Sequence, residues 1–148
     1  MKKSCLFSVV LSFCSASYVQ AQNPGTPEAS TIPDISAETK VYFINLKDGD
    51  KVRSPFVIRF GLKGMGIAPA GHNVPGTGHH HLLVDMPLPA DPRDGIPFSD
   101  KHRHFGKGVT ETVLELSPGS HTLRLLFADS DHRPYYVFSK EIRITVVQ

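Results

Sequence analysis

The 148-residue sequence predicts an all-β fold, a two-sheet β-sandwich of about seven strands. Three observations predict it. Short runs of alternating apolar and polar residues recur along the chain, each closed by a turn. No stretch of ten or more residues keeps a helical period. Twelve Gly and twelve Pro punctuate most of the gaps between runs. The length suits one domain, and a 40% apolar fraction supports a core and argues against a disordered chain. A closed β-barrel uses the same strand pattern and is the alternative.

Residues 1–21 read as a secretory signal peptide. Lys2 and Lys3 give the basic start, an apolar stretch covers 5–19, and Val19-Gln20-Ala21 suits signal peptidase. The stretch is shorter and richer in serine than a membrane-spanning helix of roughly 20 residues, so an integral membrane protein is not expected. The expected location is the periplasm or the medium, after cleavage near Ala21. Cleavage removes both cysteines, Cys5 and Cys14, and leaves a thiol-free chain of 127 residues. It also leaves 14 basic residues against 14 acidic ones, and that balance gives no reason to expect a nucleic-acid partner. Residues 22–39, with Pro24, Pro27 and Pro33 among small polar residues, read as a flexible linker, and 40–148 as the sandwich domain.

The elements follow in order. Residues 40–46 (KVYFINL) make the first strand, closed by the turn Asp48-Gly49-Asp50. Residues 55–62 (PFVIRFGL) make the second, with Phe56, Ile58 and Phe60 on one face. Residues 64–78 hold five Gly and two Pro and read as a loop. The third strand covers 80–86, opened by His79, His80 and His81. A proline-rich connection, 87–101, leads to a short strand at 102–105. Residues 110–116 (TETVLEL) alternate cleanly, 117–120 (SPGS) turn, and 121–128 (HTLRLLFA) form a strong strand. Residues 139–147 (SKEIRITVV) close the domain. The stretch 114–129 resembles the E-strand, turn and F-strand of immunoglobulin-like domains. That likeness implies an immunoglobulin-like sandwich in which the third strand lies antiparallel to the strand from His121.

The chemistry lies in the eight histidines, all retained after cleavage. Strand alternation puts His79 and His81 on one face of the third strand and His80 on the other. His102 and His104 repeat the same spacing. Pairing the third strand with the strand from His121 brings His79 and His81 near Asp129, Asp131 and His132, and leaves His121 at the far end. The expected site is therefore a mononuclear metal centre built from His79, His81, His102 and His104, with Asp129 and His132 as additions. Imidazole donors without thiols suit Cu(II) or Zn. The competing reading is a buried hydrogen-bond network that braces the loops of a module binding an envelope protein or polymer, with Tyr135 and Tyr136 on its surface. His72 and His121 belong to ordinary structural roles, and His80 packs or faces solvent.

Enzyme chemistry finds little support. Gly61-Leu62-Lys63-Gly64-Met65-Gly66 is spaced like a phosphate loop, but no helix follows it. Gly106-Lys107-Gly108 reads as a tight turn. No serine sits on a nucleophile turn, and the acidic residues are scattered. No catalytic residue is expected; a metalloenzyme would need an open coordination position.

Residues 76–85 (GTGHHHLLVD), 104–111 (HFGKGVTE) and 116–129 with His132 resemble a family of small exported bacterial proteins catalogued as a domain of unknown function. The resemblance spans about residues 41–147. It implies one exported β-domain and no catalytic residue. His102-Arg103-His104-Phe105-Gly106 looks like the copper-ligand strand of copper–zinc superoxide dismutases, whose cysteine pair and His-rich zinc loop have no counterpart here. Small periplasmic copper-binding sandwiches are also similar in size. A histidine brace needs His at the mature N-terminus, where Gln22 is expected instead.

Overall fold

The computed structural model describes residues 35, 37–91 and 99–148, and in them every regular element is a β-strand. The expected signal peptide and all of the linker except Ile35 and residues 37–39 lie outside the described residues, as do residues 92–98 of the proline-rich connection. Among the described residues no helix is long and apolar enough to cross a membrane.

Ten strands form: β1 (Lys40–Phe43), β2 (Lys51–Arg53), β3 (Phe56–Lys63), β4 (Gly66–Ile67), β5 (Thr77–Val84), β6 (His102–His104), β7 (Glu111–Leu114), β8 (Gly119–Ala128), β9 (Pro134–Phe138) and β10 (Ile142–Val147). They make two sheets. One has the order β1-β3-β7; the other runs β2-β10-β8-β5-β4, with β6 added to β5 and β9 to β8. The all-β sandwich expectation holds, and two separate sheets replace the closed-barrel alternative.

The count exceeds seven because β2, β4 and β9 are short strands in segments assigned to no strand from the sequence. Two or three residues, as in β2 and β4, carry too little alternation to register as a period, and the five of β9 little more. β9 (PYYVF) begins with proline, which suits a strand edge because it lacks an N–H to donate. β5 starts at Thr77, earlier than residue 80, because Gly78 lets the backbone run close against Ala128 and Phe127 of β8.

Alternation decides what each face does. Ile58 and Phe60 of β3 and Leu114 of β7 meet Leu82 and Val84 of β5, Leu123, Leu125 and Phe127 of β8, and Ile142, Ile144 and Val146 of β10. Nearly all are under 5% exposed. Each such side chain contributes about 1.5–3 kcal/mol through its removal from water. β7 and β8 sit in different sheets, and β5 pairs antiparallel with β8, as an E, F and C arrangement requires. The opposite face of the β5–β8 pair is also buried, and there it carries imidazoles.

Candidate metal centre

Register places the site. On β5 and β8, His79 is opposite Ala128 and His81 opposite Leu126. On the other edge of β5, His81 is opposite His104 and Leu83 opposite His102. Directly opposed residues share a face, so His79, His81, His102 and His104 all project from the outer side of the large sheet. His79 and His81 are fully buried, His102 is 3% exposed, and His104 is half-buried.

His132 joins them from the loop after β8. The β8–β9 register shifts between Phe127 and Ala128, and the chain then turns tightly. Asp129 organises that turn: its Oδ1 accepts the backbone N–H groups of Asp131 and Arg133, each at 2.9 Å. Its carbonyl accepts the His132 N–H at 3.1 Å. His132 adopts a left-handed φ of 65°, an uncommon conformation for a non-glycine residue. The turn folds its ring over the sheet.

The four rings His79, His81, His104 and His132 converge. Nε2 of His81 lies 2.9 Å from Nε2 of His79, and Nε2 of His132 lies 3.1 Å from Nε2 of His104. Ring centroids are 4.8 Å apart for His79–His104, 4.9 Å for His81–His104 and 5.1 Å for His79–His132. One ligand atom from each of His79, His81 and His104 lies within 4.8 Å of the other two. That spacing lets three imidazoles reach one cation, given metal–nitrogen bonds of about 2.0–2.2 Å. His102 stands at the margin, its ring 5.5 Å from His81.

Burial disfavours the charged form of His79, His81, His102 and His104. Burial, then the neighbouring His104, His132 and His80, lowers His79 from 6.5 to about 4. Burial with His79, His104, His102 and His132 takes His81 down to about 2. Burial and His104 lower His102 to about 4. His104 is lowered by burial and His132. A neutral imidazole is the form that ligates a metal. Nδ1 of both His79 and His81 has no hydrogen-bond partner.

The other residues divide differently from the expectation. Asp129 is committed to its own turn and supports His132. Asp131 is exposed and lies 3.9 Å from Arg133. His80 points into the core between Phe60 and Phe127, at ring distances of 5.3 Å to each. Burial lowers it to about 4, with partial opposition from the Gly61 backbone, which stops short of hydrogen-bond geometry. His72 is exposed in its loop. His121 is at the far end of β8, as expected, bonded to Asp85 at 2.8 Å and to the Ser117 carbonyl at 2.9 Å. Tyr135 is buried, donating its hydroxyl to the Thr77 carbonyl at 2.8 Å, while Tyr136 is exposed. Gly106, read as part of a turn, lies against the His104 ring. The two-residue strand period puts positions 104 and 106 on one face.

Residues 58–147 match the family model described as "Domain of unknown function (DUF4399)". No curated protein matches the chain. Among solved structures, the chain is similar to an endo-beta-1,4-mannanase from Thermotoga petrophila, at 20% identity and a TM-score of 0.44. The match covers 80% of this chain and 21% of that one, so the chain spans about a fifth of that enzyme's length, and the likeness carries no functional argument.

Proposed function

The chain belongs to the DUF4399 family, and from that premise we propose that it is an exported, non-enzymatic protein that binds one divalent transition-metal ion, copper or zinc. His79, His81 and His104 are the ligands, with His132 as the fourth and His102 at the margin. The observation that carries this reading is the convergence of three imidazoles on ligand atoms within 4.8 Å of one another. Two further features support it. Burial holds the inner imidazoles in their neutral, ligating form. The all-nitrogen donor set suits Cu(II) or Zn and disfavours hard cations that take oxygen ligands. Export rests on the basic, apolar N-terminal segment. The absence of thiols from the mature chain then makes imidazole the natural ligand for a borderline metal.

The second reading is an envelope-binding module in which the histidines form a hydrogen-bonded network. The Nε2–Nε2 distances of 2.9 and 3.1 Å favour it, since both lie in hydrogen-bond range. The partnerless Nδ1 atoms of His79 and His81 count against a closed network. Elemental analysis and calorimetric titration of the mature protein with Zn(II) and Cu(II) separate the two. Metal binding predicts about one ion per chain, and loss of that ion when His79 and His81 are both replaced by Ala. Absence of binding, or binding indifferent to that double substitution, leaves the network reading.

A further inference from the structure

We propose that Gly106 is a positioning residue for the metal centre, the position whose missing side chain lets the His104 ring lean along the sheet to meet His79. The inference rests on the metal-binding reading above. Its geometric half stands without metal.

The argument starts from register. His104 is opposite His81, and the chain continues alongside β5, because the Phe105 N–H donates to the His80 carbonyl at 3.1 Å. One residue further, position 106 falls opposite His79. Alternation sends the side chain of 105 inward, where Phe105 packs on Phe60 with ring centroids 4.7 Å apart. It sends 102, 104 and 106 outward together. A regular strand would therefore set a third side chain beside His79, between it and the ring of His104.

Glycine leaves that space to the imidazole. A Cβ built on Gly106 would overlap Cε1 and Nε2 of His104, the edge of the ring that faces the cluster, and would come within 3.1 Å of the Ala70 Cβ. The backbone gives no other reason for glycine here, because Gly106 is not among the residues with positive φ. Its carbonyl accepts the Ala70 N–H at 2.8 Å, an interaction any residue can make. Gly78 is the instructive contrast. A Cβ there would strike the Ala128 carbonyl of β8, which is backbone and cannot turn aside. Glycine at 78 thus serves the fold, and glycine at 106 serves the direction of one ring.

The consequence is selective. In Gly106→Ala the His104 ring must rotate away from His79, while the strand stays where it is. Metal affinity, read by Zn(II) and Cu(II) titration calorimetry on the mature protein, is expected to fall by about 10–100-fold, the scale of losing a group that orients a ligand. The double variant Gly106→Ala/His104→Ala should bind as His104→Ala alone does, because Gly106 acts only through that ring. Metal-free protein supplies the independent readout: nuclear Overhauser contacts between the His104 and His79 ring protons, present in the wild type, should vanish in Gly106→Ala with its strand amide spectrum preserved. Retained ring contacts overturn the inference. So does an equal further loss of affinity from Gly106→Ala in the His104→Ala background. A wild type that binds no metal, yet loses its ring contacts on Gly106→Ala, overturns the metal reading and leaves the positioning role intact.

Discussion

The two ends of the β5–β8 pair carry the same residue type in opposite electrostatic states. At one end, His79 and His81 sit among other imidazoles, and burial, then mutual repulsion, pushes both well below the ordinary histidine value. At the other end, burial also works against charge on His121, but Asp85 and the Ser117 carbonyl outweigh it and the pKa rises. Both His121 nitrogens face acceptors, at 2.8 and 2.9 Å, so both carry protons when the contacts are fully made. Asp85 is lowered in turn: burial alone would raise it, and the bonds from His121 and the Thr122 N–H prevail. The neighbours, and not the fold alone, decide whether a histidine here is favoured as a neutral imidazole or as a cationic clasp.

The largest expected effect breaks the first end. His81→Ala removes a fully buried member of the proposed ligand set, and Zn(II) or Cu(II) affinity in calorimetry should fall by more than about 100-fold, beyond the cost of losing an outer-shell partner. His121→Ala should leave that affinity unchanged.

The next effect sets the two ends against each other through pH. For His79, His80, His81 and His102 the folded pKa lies below the unfolded value near 6.5. Their contribution is complete above about pH 6.5 and is lost as pH falls from there toward about 4, and toward about 2 for His81. His121 runs the other way: its contribution is complete below about 6.5 and is lost as pH rises through its raised folded pKa. Urea unfolding of the metal-free protein should therefore show an acid limb starting near pH 6.5, steeper than carboxylates alone would give. Saturating Zn(II) should shift that limb to lower pH, since metal competes with protons for the same nitrogens. An acid limb confined below pH 4 would contradict the buried, neutral cluster.

A smaller effect sharpens the second end. Asp85→Asn removes the charge that holds His121 protonated. Chemical denaturation near pH 6 should show a loss of about 1 kcal/mol, modest because the Asp85 side chain is 35% exposed. The His121 ring should titrate lower by NMR while His79 and His81 do not move. The smallest effect lies away from both ends. Val113, 60% exposed on the small sheet, should tolerate Thr with a change within about 0.5 kcal/mol in urea unfolding and no change in metal affinity.

Much of this contrast was legible in the residues. Strand period put His79 with His81 and His102 with His104, and the E-turn-F pattern put His121 at the far end. His132 and Gly106 were harder to read. His132 enters through a register shift in β8 and a turn held by Asp129, neither of which leaves a periodic trace. The strand that follows, β9, left no clear period, and it splits its tyrosines between core and surface: Tyr135 is buried and Tyr136 exposed. The His132 ring lies 4.7 Å from His104 and the His102 ring 5.5 Å from His81; spacing along a strand shows which side chains share a face, and not which rings lean together.

By itself the sequence determined the β class, the faces of the long strands and a histidine-rich domain whose residues 22–148 contain no cysteine, because these follow from local alternation and composition. Only the tertiary structure decided that the rings of His79, His81, His104 and His132 meet, that Asp129 braces the turn carrying His132, and that Gly106 lies against the His104 ring. Those outcomes depend on register between strands distant in sequence and on angstrom-scale overlap of side chains, and neither quantity is carried by any single segment of the chain.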